Sequence, residues 1–293
     1  MKKNKILVLS VFFRIFADYK CKMISVLLSV YREETPDFLD TALQSVFEQT
    51  LAPGEVVLVK DGTLTPELDA VINRYQTQYP DTFKVYALEQ NSGLGMSLAL
   101  GLERCSNEFV ARMDTDDICL PFRFEEQYNM LMNHPELDLV GFNIAEFVTN
   151  PTTVHLCRNL PEKPKDIYKL GKRRNPVNHP TAMFRRSKAL QAGNYKPLKG
   201  VEDYYLWMRM LNKNMQFYNI QKVGVLCRVG NDLISRRHGI SYYSNEVKLF
   251  QKGLSIGYIN WFDFCSAVMI RGFVRIMPKF ITKWFYDCFL REK

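Results

Sequence analysis

The sequence predicts an α/β fold: a mixed, mostly parallel sheet flanked by helices, with amphipathic helices appended at its C-terminal end. Three observations carry that expectation. Short apolar runs alternate with helical periods from residue 23 onward. The 293 residues are 47% hydrophobic and 24% charged, ordinary for a globular chain and enough for one large domain. No internal repeat or low-complexity linker divides them.

The elements follow in order. Ile24 to Val30 (ISVLLSV) reads as a buried strand. Thr35 then stands as a cap with Pro36 at the first helical position. Leu39, Leu43, Val46 and Phe47 follow on one helical stripe. Val56 to Val59 is the second strand. A helix from Thr65-Pro66 carries Leu68, Val71, Ile72 and Tyr75 on one face, and a third strand spans Phe83 to Leu88. The loop Asn91-Ser92-Gly93-Leu94-Gly95 opens a helix through Leu98 and Leu102. Glu108 to Met113 is a fourth strand, ending in Asp114-Thr115-Asp116-Asp117. A helix over Pro121–Asn133 and a strand over Leu137–Phe142 come next. The expected division is an N-terminal extension over 1–22, a catalytic domain over 23–252 and a helical appendage over 253–293.

The chain carries 39 Lys and Arg against 31 Asp and Glu, a net +8, which favours anionic partners without choosing among them. The stretch 158–199 holds twelve of the basic residues and only two acids. Seven cysteines with no CxxC pair and no zinc-like spacing to the four histidines argue against a disulfide framework or a structural metal site, and point to a reducing cytoplasm. The apolar run Ile6 to Phe13 falls short of the roughly 20 residues that span a bilayer. Residues 1–22 are therefore read as an extension, an interfacial anchor or the product of an upstream start codon.

The acidic end of the fourth strand is the most informative place in the chain. Residues i and i+2 at a strand end project to one side, so Asp114 and Asp116 are expected to converge beyond the carboxyl edge of the sheet. Open α/β sheets place ligands at that edge. Two hard oxygens there suit Mg²⁺ or Mn²⁺ completed by phosphate oxygens and water. Asp61-Gly62-Thr63 follows the second strand at the same edge, where a carboxylate can accept from a nucleobase N–H; an Asp-Gly turn is also commonplace. Asn91 to Gly93 can bring backbone N–H groups to phosphate, or simply turn a corner. Glu202 and Asp203 open a helical-looking run as a cap, or as a base distinct from the metal ligands.

Six words, ISVLLSVYRE, VLVKDGT, NSGLGMSLALG, FVARMDTDD, NHPTAMFRRS and VEDYYLW, stand in this order between about Met23 and His238. So arranged, the chain resembles the family 2 inverting glycosyltransferases of the GT-A fold that build bacterial surface polysaccharides. The resemblance implies that Val30, Tyr31 and Glu33 line the nucleotide pocket together with Asn91, Gly93 and Thr115, and that Asp61 recognises the base. It implies that Asp114 lies near the ribose and Asp116 on a divalent metal bridging the diphosphate. Asp203 is implied as the catalytic base with Glu202 beside it, and His179 and Arg185 as lying on the acceptor side. The implied reaction is metal-dependent transfer of one sugar from a UDP-, dTDP- or GDP-sugar to a hydroxyl of a glycan or lipid-diphosphate-linked glycan, in O-antigen, capsule or exopolysaccharide synthesis. Two departures stand out. Lys60 occupies a place where the family often has an acid, and the QxxRW word of processive synthases is absent, which argues against a polymerase.

Two other classes compete with this one. An aspartate-nucleophile phosphohydrolase would need its nucleophile where Val59 stands, and a nucleic-acid-binding module would place acids where phosphate must approach. Lys172-Arg173-Arg174 and Arg185-Arg186 read as a face for an anionic acceptor or as a solvated basic face, and Arg236-Arg237-His238 as a reach toward the donor phosphates. From Ile259, Asp263, Arg271 and Arg275 fall on one helical stripe, with Phe262, Cys265, Met269, Phe273 and Ile276 opposite. After Pro278, Lys279, Lys283 and Asp287 repeat the pattern against Phe280, Trp284, Phe285 and Cys288. Such helices suit a bilayer interface at the inner face of the cell membrane, or pack on the domain.

Overall fold

In the first strand, β1 (Ile24–Val30), side chains on both faces are buried, Val26, Leu28 and Val30 on one side and Leu27 on the other. A strand buried on both faces needs helices on both. The computed structural model describes residues 24–230 and 239–276. Within them β2 (Glu55–Asp61) and β3 (Phe83–Leu88) join β1 in parallel, and β4 (Phe109–Arg112) pairs β1 in parallel on its other side. Three further helices connect these strands and cover them: α1 (Pro36–Phe47), α2 (Pro66–Gln78) and α3 (Leu94–Arg104). Thr65 caps α2, its hydroxyl accepting the Leu68 N–H at 3.3 Å, whereas Thr35, the expected cap of α1, makes no side-chain capping bond.

Beyond β4 the chain forms β5 (Ile118–Cys119), α4 (Arg123–Asn133), β6 (Leu137–Phe147) and β7 (Leu156–Arg158). It continues through α5 (Pro164–Gly171), a 3₁₀ turn at His179–Thr181, β8 (Met183–Arg185), α6 (Arg186–Gln191), α7 (Glu202–Asn212) and β9 (Gln216–Arg228). The nine strands form one mixed sheet in the order β3-β2-β1-β4-β8-β6-β9-β5, with β7 beside β6. The half containing β1 to β4 is parallel. In the other half β8 runs antiparallel to both β4 and β6, while β6 and β9 run parallel.

Two apolar layers sandwich this sheet. α1, α2 and α4 supply Leu39, Leu43, Leu68, Ile72, Phe124 and Leu131 to one. α3, α7 and the later helices supply Leu98, Leu102, Trp207 and Met208 to the other. The chain ends, in the described residues, with α8 (Ile240–Ser255) and α9 (Trp261–Ile276), which pack on each other. Residue 253, where the appendage was expected to begin, lies inside α8, with Gly253 against Met208 and Ile259. The extension 1–22, the Arg236-Arg237-His238 segment and the second amphipathic pattern after Pro278 lie outside the described residues.

Candidate active site

Parallel pairing brings the ends of β1, β2 and β4 to one edge: Val30 stands opposite Lys60, and Leu27 opposite Arg112. Asp61, the last residue of β2, is only 3% exposed. Its two oxygens accept the backbone N–H groups of Ser92 at 2.7 Å and Gly93 at 3.0 Å. Gly62 follows at φ +83°, and a Cβ there would sit 2.7 Å from the Asn91 nitrogen, so only glycine lets β2 pass this closely under the loop. Asp61 thus fixes residues 91–93, and since a carboxylate accepts about four hydrogen bonds, these two leave it capacity for a base N–H. Val30 is fully buried and presents only backbone to the edge, whereas Tyr31 is 40% exposed on it and Asn91 is exposed.

The strand β4 stops at Arg112, so Asp114 to Asp117 form a turn beyond it instead of extending it. Arg123, fully buried on α4, holds that end by donating to the Arg112 carbonyl at 2.8 Å. The Arg112 guanidinium, also fully buried, is hydrogen-bonded to Asp114. Thr115 donates to Glu34 at 2.8 Å, which brings a fourth acid to the turn. Asp116 records the crowding: burial, then the charges of Asp114 and Glu34, push its carboxyl up to about 7. Asp117 serves differently, since it is buried and accepts the Arg228 backbone N–H at 2.8 Å, pinning β9 to the turn. Glu34 was missed by the sequence reading, which named the exposed Glu33 beside it.

These residues fit a hard divalent cation. Asp116 is a largely buried carboxylate beside two other acids, and the Arg112 charge bonded to Asp114 does not offset them, since Asp116 is still pushed up to about 7. No group of three or more His, Cys, Asp or Glu side chains among the described residues makes a cage. Two carboxylates completed by phosphate oxygens is a usual Mg²⁺ arrangement.

The second half of the site comes from the start of α7. Asp203 accepts the Asn175 side-chain amide at 2.6 Å. Glu202 is 6% exposed, and burial followed by the charge of Asp203 pushes it up to about 7. Gly95, on the first turn of α3, lies so close that a Cβ would be 2.7 Å from the Lys196 carbonyl and 3.3 Å from the Glu202 Cβ. The helix opened by the Asp61-held loop therefore packs against the Lys196 carbonyl and the Glu202 side chain. Tyr195 closes the circuit: its buried phenol is held above its ordinary range by burial and feels Arg112, Asp203, Glu202 and Asp114 together. His179 lies 3.1 Å from the Tyr195 hydroxyl, and burial plus the Arg112 charge keep its ring well below the usual imidazole range, so it is neutral.

Glu202 makes stability depend on pH. Its carboxyl holds a proton more tightly folded than unfolded, so its favourable contribution is complete below the ordinary 4.5 and is lost as pH rises through about 7. At about 1.36 kcal/mol per unit, the loss between about pH 5 and about pH 8 reaches up to about 3 kcal/mol. Glu202→Gln is expected to lack that loss in urea titrations at the two pH values. An unchanged difference in unfolding free energy between them would show that Glu202 does not titrate in this window.

Arg185 does not belong to this cleft. It pairs with Phe109, at the opposite end of β4 from Asp114, and its guanidinium donates to the Leu137 and Leu131 carbonyls, both at 3.0 Å. Its neighbour Arg186 likewise donates to the carbonyls of Leu102 and Glu103 at the end of α3. The acceptor-side role expected for Arg185 is thus corrected: the arginine pair supplies donors to carbonyls at the ends of α4 and α3 and, through Arg185, at the start of β6. Arg173 and Arg174 remain exposed.

Residues 25–193 match the sequence model described as Glycosyl transferase family 2. The amylovoran biosynthesis glycosyltransferase AmsE of Erwinia amylovora is 37% identical over 265 residues, covering 90% of this chain and 98% of that protein. The UDP-Gal:alpha-D-GlcNAc-diphosphoundecaprenol beta-1,3-galactosyltransferase of Escherichia coli is 33% identical, covering 92% and 96% respectively. Among solved structures, residues 1–349 of S. aureus TarS in complex with UDP-GlcNAc superpose with a TM-score of 0.64 at 18% identity, covering 86% of this chain and 72% of that one, which establishes likeness of fold.

Proposed function

The chain belongs to glycosyl transferase family 2, and from that premise we propose that it transfers a single sugar, with inversion, from a nucleotide sugar to a hydroxyl of a glycan or lipid-diphosphate-linked glycan in surface polysaccharide synthesis. Membership replaces the phosphohydrolase and nucleic-acid readings. One observation supports the proposal most: the Asp61-held loop over 91–93 opens the helix whose Gly95 packs against Glu202, and the acids of the β4 turn and of α7 both act on the buried Tyr195 phenol. The activities of these relatives support a nucleotide-sugar donor and an acceptor of surface-glycan type.

In this reading the loop over 91–93, Tyr31 and Thr115 bind the nucleoside diphosphate. Asp203, oriented by Asn175, takes the proton of the acceptor hydroxyl as that oxygen attacks the anomeric carbon. The new C–O bond forms on the face opposite the departing nucleoside diphosphate, whose bond to the same carbon breaks, and the configuration inverts. Asp116 and Asp114 would hold Mg²⁺ or Mn²⁺, which when bound neutralises the charge of the departing diphosphate. The donor is a UDP-, dTDP- or GDP-sugar, and the reaction takes place at the inner face of the cell membrane, with the protein attached peripherally.

A thermal-shift screen with UDP-, dTDP- and GDP-sugars, with and without Mg²⁺ or Mn²⁺, tests this. At a hundredfold excess over its dissociation constant the correct donor stabilises by about 2.7 kcal/mol. That corresponds to roughly 5–10 °C for a domain of this size. The shift is expected for one nucleotide class and only with metal; no shift with any combination would overturn the reading.

A further inference from the structure

The last described helix presents its charged stripe to the protein and its apolar stripe outward, the reverse of a helix packed on a domain in water. On the inner side of α9, Arg271 donates to Glu246 at 2.7 Å and to the Arg173 carbonyl at 2.7 Å, and Arg275 donates to Glu246 at 3.0 Å. Glu246 itself is 4% exposed on α8. These contacts fix which way the helix faces. Outward stand Trp261 at 69% exposure, Phe262 at 80%, Met269 at 68%, Ile270 at 64% and Phe273 at 59%. A contiguous apolar face of this kind on a soluble protein marks an interaction surface.

Its border is cationic. Asp263 of α9 and the basic run after α5 line a cavity of about 480 Å³ that includes Lys169, Lys172, Arg173 and Arg174. Arg271, which follows the exposed Ile270 on α9, donates to the carbonyl of Arg173 in the cavity wall, so the basic cluster adjoins the apolar face. A second copy of the chain paired symmetrically here would bring two such cationic clusters together on partners of +8 each. An anionic phospholipid surface meets both halves. No helix among the described residues is long and apolar enough to cross a membrane, so the geometry required is that of a helix lying in the interface.

We propose that the outward stripe of α9 and the Lys172–Arg174 cluster together form the seat by which the protein lies on an anionic bilayer, the aromatics in the acyl boundary and the cations at lipid phosphates. Arg174 is followed by Asn175, which holds Asp203, so this seat places the cleft's α7 side next to the membrane. That consequence, though not the seat itself, rests on the function proposed above.

Vesicle sedimentation tests the seat with the full chain. Wild type is expected to bind phosphatidylcholine vesicles containing phosphatidylglycerol more tightly than pure phosphatidylcholine, and less so at high salt. The double substitution Phe262→Glu with Phe273→Glu is expected to lower binding to both by about tenfold or more. Arg173→Ala with Arg174→Ala is expected to lower only the phosphatidylglycerol-dependent part, by about fivefold per cation. All four side chains are exposed, and unchanged melting curves confirm folding. Wild-type partitioning in every variant overturns the proposal. So does a lipid-free dimer that Phe262→Glu splits while wild type ignores vesicles. The metal-dependent donor shift is measured without lipid, so its failure bears on the donor reading alone.

Discussion

Replacing Asp203 with Asn is expected to lower the turnover number by about 10²–10⁴-fold, the range typical for loss of a general base, while leaving donor affinity unchanged. The substitution is close to isosteric. Asn175 donates its amide to one Asp203 oxygen at 2.6 Å, and the new side chain still offers an oxygen to that amide, so the first turn of α7 keeps its shape. What disappears is the capacity to take a proton from the acceptor hydroxyl. Glu202 does not replace it, because at 6% exposure its carboxyl is closed off from an acceptor hydroxyl. The donor side is built from other elements, the 91–93 loop and the β4 turn. Steady-state kinetics paired with calorimetry of nucleotide-sugar binding separates the two effects. A variant with wild-type turnover would remove Asp203 from the mechanism, and one that loses donor binding would move it to the other side of the cleft.

The parallel half of the sheet was legible because its signals are local. β1, β2 and β3 are apolar runs bounded by turn residues, and Thr65-Pro66 announces α2 within two positions. The acid words at 61, 114–116 and 202–203 were legible for the same reason, since each sits directly after a strand or at a helix start. How those acids are used was not legible. Asp61 meets the N–H groups of a loop some thirty residues away, and Asp117, which looked like one more acid at the edge, is spent on β9. Arg185 and Arg186 illustrate the same limit: positive charge is visible in a sequence, but the distant helix carbonyls that absorb it are not. Tyr195 and Asn175 carry no motif at all, and only tertiary packing brings them to Asp203 and Asp114. The inward turn of the α9 arginines depends on Glu246, a residue whose burial no local pattern discloses.

Asp116→Ala is expected to abolish the gain in nucleoside-diphosphate affinity that Mn²⁺ or Mg²⁺ gives the wild type, a loss of about a hundredfold or more. It is expected to do so without weakening the fold. In the metal-free protein Asp116 is held up to about 7 by burial and by Asp114 and Glu34, so its ionised form is unfavourable and its removal relieves repulsion. The contact that ties this residue to β9 runs through its backbone carbonyl, which accepts the Arg228 Nε–H at 3.2 Å and survives the substitution. Binding and stability thus move in different directions, which a residue with a purely structural role would not produce. Asp114 differs, because its bond to the buried Arg112 means that removing it strands a guanidinium with Nε and Nη1 already unpartnered among the described residues. The ordering expected from melting curves is therefore Asp116→Ala at or above wild type and Asp114→Ala below it. Calorimetry of UDP, dTDP or GDP, whichever the donor screen selects, reads the binding half of the prediction. An Asp116→Ala protein that keeps the full metal-dependent affinity would place the cation on other groups, and with it the diphosphate.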